Sequence, residues 1–128
     1  MRLIRTYLRT YQYLINYKNK RKRNTKQFKI GLCQIECGYL DKQKNIEKVS
    51  EYVQKCSQSG ADIIVLPEIW NGPYDASAFS SFAEVVPEIG NKDTVSIDPK
   101  LSPSVYHLQQ LAIKYERYLI GGSIAERV

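Results

Sequence analysis

The sequence predicts an α/β fold in which strands and helices alternate in the order βαβαβ. Three apolar, strand-like runs, FKIGLCQI (28–35), ADIIVLPE (61–68) and YLIGGSI (118–124), are separated by amphipathic segments. Alternation of this kind is typical of parallel sheets whose strands are joined by right-handed helical crossovers. At 128 residues the chain has room for one domain with a modest core.

The first helix is predicted between Lys42 and Ser59. Gly38 and Asp41 mark a turn and the helix start, and Gly60 lies where the helix would end. Between them, apolar residues recur at three- and four-residue steps: Ile46, Val49, Val53 and Cys56. The run ADIIVLPE that follows is continuously apolar, which indicates a strand covered on both faces, as in parallel sheets.

The second half of the chain begins with a long segment without periodicity, residues 71–101. Loops of that length in a compact domain are usually functional or disordered, and we expect one short helix within 76–85. A clear helix follows over 102–118, with Ser102 as N-cap and Pro103 at its first position. Its inward stripe is Val105, Leu108, Leu111, Ala112 and Tyr115. Because a sheet of only three parallel strands leaves open edges, we expect the front part of a larger fold.

Charge divides the chain into a basic arm, residues 1–26, and a body, residues 27–128. The arm holds nine basic side chains and no acid, whereas the body carries ten basic and thirteen acidic side chains. Nucleic-acid-binding domains spread basic residues over a folded face, so this distribution argues against a nucleic-acid partner. No apolar stretch approaches the roughly 20 residues that cross a bilayer, which argues against a membrane span.

The arm is open to several interpretations. Arg2, Arg5 and Arg9 lie at helical spacing in an acid-free, amphipathic stretch, as in a mitochondrial presequence. A disordered, solvated tail or non-native sequence from a mispredicted start explains the composition equally well. Tyrosines also interleave with the cations, a pattern that supports stacking on single-stranded nucleic acid. We favour a solvated or cleaved tail over this nucleic-acid-binding role.

The three cysteines, Cys33, Cys37 and Cys56, match no common zinc pattern and cannot all pair. Cys33 falls within a strand and Cys56 on a helix against the sheet, so both are expected to be structural thiols. We favour a structural role for Cys37 as well, although it follows the first strand. The sequence therefore predicts no disulfide framework, no metal site and a reducing compartment.

Glu68 stands at the end of the second predicted strand. In open parallel sheets, ligands bind outside the carboxyl ends of the strands, which places this carboxylate on the functional edge. The WNGPY turn after it offers Trp70 and Tyr74 as aromatic walls of a substrate pocket. A glutamate that merely caps the turn or faces water fits the spacing as well, so position alone leaves the two interpretations open.

The stretches FKIGLCQIECGYLDKQKNIEKV, GADIIVLPEIWNGPYD and YLIGGSIAER together resemble the amino-terminal part of the nitrilase, or carbon–nitrogen hydrolase, superfamily. Within it they are most similar to the omega-amidase branch. The resemblance covers about residues 28–127. It implies that the βαβαβ segment is the amino-terminal part of a nitrilase-type α-β-β-α sandwich, which is incomplete in this chain.

The resemblance implies hydrolysis of an amide C–N bond by a Glu–Lys–Cys triad without a metal or organic cofactor. The glutamate of the LPE motif is the general base of the family, and here that residue is Glu68. Such a base requires burial that raises its proton affinity, so we expect a dry strand end beneath Trp70 and Tyr74. The implied substrates are small dicarboxylate monoamides such as 2-oxoglutaramate, and a complete member is expected to be a homo-oligomer in the cytoplasm or mitochondrion.

No lysine or cysteine of this chain matches the other two triad positions, which in the family follow the GGSI strand. We therefore expect the 128-residue chain alone to be inactive. A catalytically dead, truncated homologue is the alternative. His107, on the last predicted helix, has no partner motif and is expected to be a surface or packing residue.

Overall fold

The computed structural model describes residues 27–36, 40–87 and 96–127, so the basic arm and Cys37 lie outside it. In the described ranges the elements follow the predicted order, with one added short helix. They are β1 (Ile30–Leu32), α1 (Lys42–Gln58), β2 (Ile63–Val65), α2 (Phe79–Phe82), α3 (Pro103–Tyr115) and β3 (Tyr118–Ile120). The α/β prediction is confirmed, and α2 falls where a short helix was expected.

The strands form a parallel sheet in the order β1-β2-β3. Ile64 at its centre pairs with Gly31 on one side and with Leu119 on the other. Each strand is three residues long, shorter than its apolar run. Beyond the strands the ladder continues with one bond on each side of β2, from Cys33 N to Val65 O and from Leu66 N to Ile120 O, both at 2.9 Å. The next residue, Pro67, has no N–H to donate, so regular pairing ends there.

Helix α1 begins and ends as its sequence predicts. The Asp41 carboxylate accepts hydrogen bonds from the backbone amides of Gln43 and Lys44, at 3.0 and 3.2 Å. These bonds satisfy two of the free N–H groups at the helix start. The helix ends before Gly60, whose φ of +80° belongs to the left-handed region that terminates many helices. The inward stripe is buried at Ile46, Val49 and Val53 and partly buried at Cys56.

Helix α3 begins as predicted at Pro103 but is capped differently. The Ser102 hydroxyl donates to the Val85 carbonyl and makes no bond to the helix. The Ser104 amide instead donates to Glu84 Oε2 at 2.9 Å, so a carboxylate from the preceding loop caps the helix. The helix ends three residues earlier than predicted, because Glu116 adopts a left-handed φ of +51°.

The two faces of the sheet differ sharply. Because the strands follow one another in sequence order, both long helices lie on one side, where Ile64 and Leu119 are buried among their apolar stripes. In the described ranges the opposite face remains open, and Leu32 on it is 72% exposed. On β2 itself the outward residues, Ile63 and Val65, are partly exposed, so within the described residues this strand is covered fully on one face only. The other exposed residues of the open face are Phe28, Ile30, Tyr118 and Ile120.

Candidate active site

Glu68 opens the turn that follows β2, at the carboxyl edge of the sheet. Its side chain is exposed, which contradicts the expected dry environment. Ile69 and Trp70, the next two residues, occupy the buried side of the turn instead. Tyr74 Oη donates to Glu68 Oε2 at 3.4 Å, longer than the usual 2.5–3.0 Å or so for such a bond, and is itself 73% exposed. The structure therefore brings Glu68 and Tyr74 together, but loosely and in contact with solvent.

Ile69, directly after Glu68, has a strained backbone. Its φ is +48°, a conformation that is unfavourable for a β-branched side chain. Its side chain is buried, and its amide donates to Ser123 Oγ at 3.2 Å. Strain of this kind persists only where the surrounding structure imposes it, and it is most frequent at functional sites.

The GGSI segment after β3 imposes that conformation. Trp70 Nε1 donates to the Gly121 carbonyl at 2.7 Å, and the indole is fully buried. Gly122 has a φ of +63°, and a Cβ atom there would lie 1.9 Å from the Pro67 carbonyl oxygen. Only glycine permits so close an approach. Trp70 thus supports the turn from inside the core, and its expected contact with substrate stays a prediction.

A buried carboxylate, Glu84, ties the end of the same turn to both long helices. Glu84 is 2% exposed and pairs with Lys42 Nζ of α1 at 2.8 Å. It also accepts from Ser104 Oγ of α3 at 2.6 Å and from Asn71 Nδ2 of the WNGPY turn at 3.3 Å. This cluster was not predicted from the sequence, since Glu84 lies in a segment without periodicity. One local feature could have indicated that this carboxylate is buried: Glu84 is flanked by apolar residues in FAEVV (82–86).

The remainder of the WNGPY turn is fixed by close packing. Asn71 is fully buried, and its Nδ2 lies 3.4 Å from the Phe82 carbonyl oxygen. A Cβ atom on Gly72 would come within 2.5 Å of the Phe82 ring, so a larger residue would displace α2. The turn that carries Glu68 is therefore held by three separate parts of the chain: the GGSI segment, Glu84 and Phe82.

His107 lies away from this cluster, on the helical side of the sheet. Its Nε2 is 2.6 Å from Ser50 Oγ, and that hydroxyl donates in turn to the Ile46 carbonyl, so Nε2 carries the proton. Burial lowers the pKa of His107, and the nearby Lys114 ammonium lowers it further. Its predicted packing role is confirmed. Within the described ranges, no three His, Cys, Asp or Glu side chains are placed to hold a metal ion.

Comparison with known proteins agrees with this architecture. The family model described as carbon-nitrogen hydrolase matches residues 29–127. The chain belongs to the carbon–nitrogen hydrolase family. The crystal structure of Saccharomyces cerevisiae Nit3, a member of branch 10 of the nitrilase superfamily, superposes on this chain with a TM-score of 0.64 at 28% identity. That match covers 77% of this chain and 34% of the Nit3 chain.

Two sequence relatives of this carbon–nitrogen hydrolase chain are omega-amidases. The chloroplastic omega-amidase of Arabidopsis thaliana is 35% identical over 102 residues, which cover 80% of this chain and 25% of that protein. Omega-amidase NIT2 of Homo sapiens is 30% identical over 99 residues, covering 77% of this chain and 30% of that protein. The chain thus spans about a quarter to a third of the length of these relatives.

In the residues that the structure describes, none of the helices is long and apolar enough to span a membrane.

Proposed function

We propose that this chain carries the general base of an amide hydrolase of the omega-amidase type. In this proposal the body, residues 27–128, is the amino-terminal part of the catalytic domain, and the basic arm is separate from it. The substrate class is small dicarboxylate monoamides, which release ammonia on hydrolysis. Family membership and the omega-amidase relatives support the reaction class. Glu68 is the residue in this chain that we assign to the chemistry.

The proposed reaction is nucleophilic catalysis by a cysteine thiol that Glu68 activates. The carboxylate accepts the thiol proton as the sulfur attacks the amide carbonyl, and it returns that proton to the departing ammonia. Water, deprotonated by the same carboxylate, then attacks the thioester carbonyl. The C–S bond breaks, the carboxylic acid leaves, and the proton returns from Glu68 to the cysteine sulfur. The lysine of the triad stabilises the negative oxygen that forms on the carbonyl. Neither that lysine nor the nucleophile corresponds to any residue of this chain.

The strained and hydrogen-bonded backbone next to the exposed Glu68 carboxylate supports this assignment most directly. A glutamate that only faced solvent would not need the strained Ile69 next to it, because ordinary turns avoid such a conformation. Here Ser123 and Gly121 accept hydrogen bonds from the two residues after Glu68, and Gly122 packs against Pro67, the residue before Glu68, at the edge where parallel sheets bind ligands. Because the Glu68 carboxylate itself is exposed, the nucleophile and the rest of the proposed site can approach it. Their arrival would also supply the burial that a general base requires.

Sequencing the transcript beyond the codon for Val128 separates the enzyme from a catalytically dead homologue. A reading frame that continues into a lysine-bearing and then a cysteine-bearing strand supports the enzyme. A stop codon at that point would exclude catalysis by this product. The 128-residue chain on its own is expected to release no ammonia from a monoamide above the rate of an empty-vector control.

The role of Glu68 is tested by Glu68→Gln in the protein that carries the complete triad. Loss of a general base lowers turnover by at least about a hundredfold. Glu51→Gln, on the exposed face of α1, is the matched control and should keep full activity. Circular dichroism and thermal unfolding check that both variants remain folded. If folded Glu68→Gln retains activity within a few-fold of the parent, Glu68 is not the base.

A further inference from the structure

Two free thiols face each other between the sheet and α1. Cys33 follows β1 and is 4% exposed, whereas Cys56 lies in the last turn of α1 and is half-buried. Their sulfur atoms are 3.7 Å apart, within the range of an S–H···S hydrogen bond. Neither thiol belongs to the proposed catalytic site, which lies at the carboxyl edge of the sheet.

Gly31 makes this pairing possible. A Cβ atom at residue 31 would lie 2.8 Å from Cys56 Sγ and 2.9 Å from Cys56 Cβ. Any other residue there would push Cys56 away from the strand, because both contacts are shorter than carbon and sulfur tolerate. Cys33 is two residues further along and therefore points to the same face of the sheet as residue 31 would. The backbone of β1 thus brings Cys56 to Cys33.

We propose that Cys33 and Cys56 form a redox modification site, at which a small hydroperoxide converts the two thiols into a reversible disulfide. To form the bond, the sulfur atoms have to close from 3.7 Å to about 2.05 Å. Cys56 is the thiol that meets the oxidant, since Cys33 is almost entirely shielded by the core.

The reaction proceeds in two balanced steps. The hydroperoxide transfers one oxygen atom to Cys56: an S–O bond forms, the O–O bond breaks, and the peroxide is reduced to the alcohol, or to water when hydrogen peroxide is used. The Cys33 sulfur then attacks the Cys56 sulfur, so that an S–S bond forms and the S–O bond breaks. The proton of Cys33 and the departing hydroxide leave as water. A dithiol reductant reverses the modification by thiol–disulfide exchange.

Burial, with the hydrogen-bonded Cys56 thiol adding to it, raises the pKa of Cys33 to about 12. Cys33 therefore remains a neutral thiol near pH 7 and is a poor target for the oxidant. Exposure assigns the two roles: Cys56, the more exposed thiol, is oxidised first, and Cys33, 3.7 Å away, resolves it. The product would tie β1 to α1 by a covalent bond.

The experiment treats the folded, reduced 128-residue chain with hydrogen peroxide, blocks the remaining thiols by alkylation and digests with trypsin and Glu-C. This digestion separates the three cysteines into peptides 30–36, 37–42 and 56–68. The expected product joins 30–36 to 56–68, has lost two hydrogen atoms and disappears on treatment with dithiothreitol. Oxidation should also raise the midpoint of thermal unfolding by about 10 °C, since the bond closes a loop of more than 20 residues.

Three variants and one unfolded sample make the result specific. Cys37→Ser should keep the crosslink, whereas Cys56→Ser and the apolar replacement Cys33→Val should abolish it. In concentrated urea, pairing should shift towards the nearest cysteines in sequence, Cys33 and Cys37, because short loops close most readily. The proposal is overturned if the folded chain forms a link through Cys37, links only between two chains, or accumulates sulfinic acid at Cys56 without a crosslink.

Discussion

Replacing Glu84 tests whether the buried carboxylate organises the candidate site. Its side chain accepts from Lys42, Ser104 and Asn71, and therefore joins α1, α3 and the WNGPY turn. Main-chain bonds to Ala125 and Arg127, at 3.0 and 2.8 Å, keep the backbone of residue 84 in place. A substitution here therefore acts mainly through the side chain.

The expected loss in the free energy of unfolding depends on which donors each substitution leaves without an acceptor. Glu84→Ala removes the partner of a largely buried cation and of two Ser104 donors, and breaking a buried pair in this way costs about 3–5 kcal/mol. Lys42 is 24% exposed and can reach water, so we expect about 3 kcal/mol for this variant. Glu84→Gln keeps the shape and one acceptor oxygen, so its loss should be about 1–2 kcal/mol.

Urea unfolding monitored by Trp70 fluorescence measures these losses. Trp70 is the only tryptophan of the chain and is fully buried, so its emission reports on the packing around the turn. Glu51→Ala, at an exposed position of α1, is the control and should change stability by no more than about 0.5 kcal/mol. A loss below about 1 kcal/mol for Glu84→Ala, with an unchanged urea dependence, would refute the structural role argued for Glu84.

Two further substitutions probe the contact between Gly122 and Pro67 and the packing of His107 on the helical side of the sheet. Gly122→Ala places a methyl group 1.9 Å from the Pro67 carbonyl oxygen and should lower the free energy of unfolding by more than about 2 kcal/mol. The red shift of Trp70 emission that accompanies unfolding should then occur at a lower urea concentration. An emission spectrum and a urea midpoint like those of the parent would contradict this prediction. His107 has a lowered pKa in the folded chain, so the unfolded chain binds the proton more readily and stability should fall as pH drops below about 6.5. Unfolding at pH 7.5 and 5.5 should show this loss in the parent and a smaller one in His107→Asn; equal losses would show that another group titrates.

Local signals in the sequence predicted most of the fold. The helix start at Asp41, the helix end near Gly60 and the start of α3 at Pro103 depend on residues within a few positions, and the structure confirms all three. Strand lengths were overestimated, because apolar character continues after pairing stops at Pro67. The continuous apolar run of the second strand indicated cover on both faces, because apolar composition does not show on which side of the sheet the helices lie.

The candidate site was predictable in position but not in environment. The strand end at Glu68 follows from the apolar run before it, and the structure places the residue there. Whether Glu68 is exposed depends on which residue of the turn fills the core. Trp70, which was expected to line a pocket, fills the core, and Glu68 is left exposed. The partners of Glu84 lie 13 to 42 positions away from it without any repeating pattern, so local periodicity carries no trace of the cluster.

The bonds from the GGSI segment also determine when the turn at Glu68 can form. Ile69 and Trp70 are held by partners 54 and 51 positions further along the chain, so the turn lacks its hydrogen bonds until β3 has docked. Contacts of such long range form late in folding, because the intervening loop must close first. During synthesis, Glu68 therefore leaves the ribosome long before its final backbone conformation is available, and the strained turn is completed only after Ser123 has emerged.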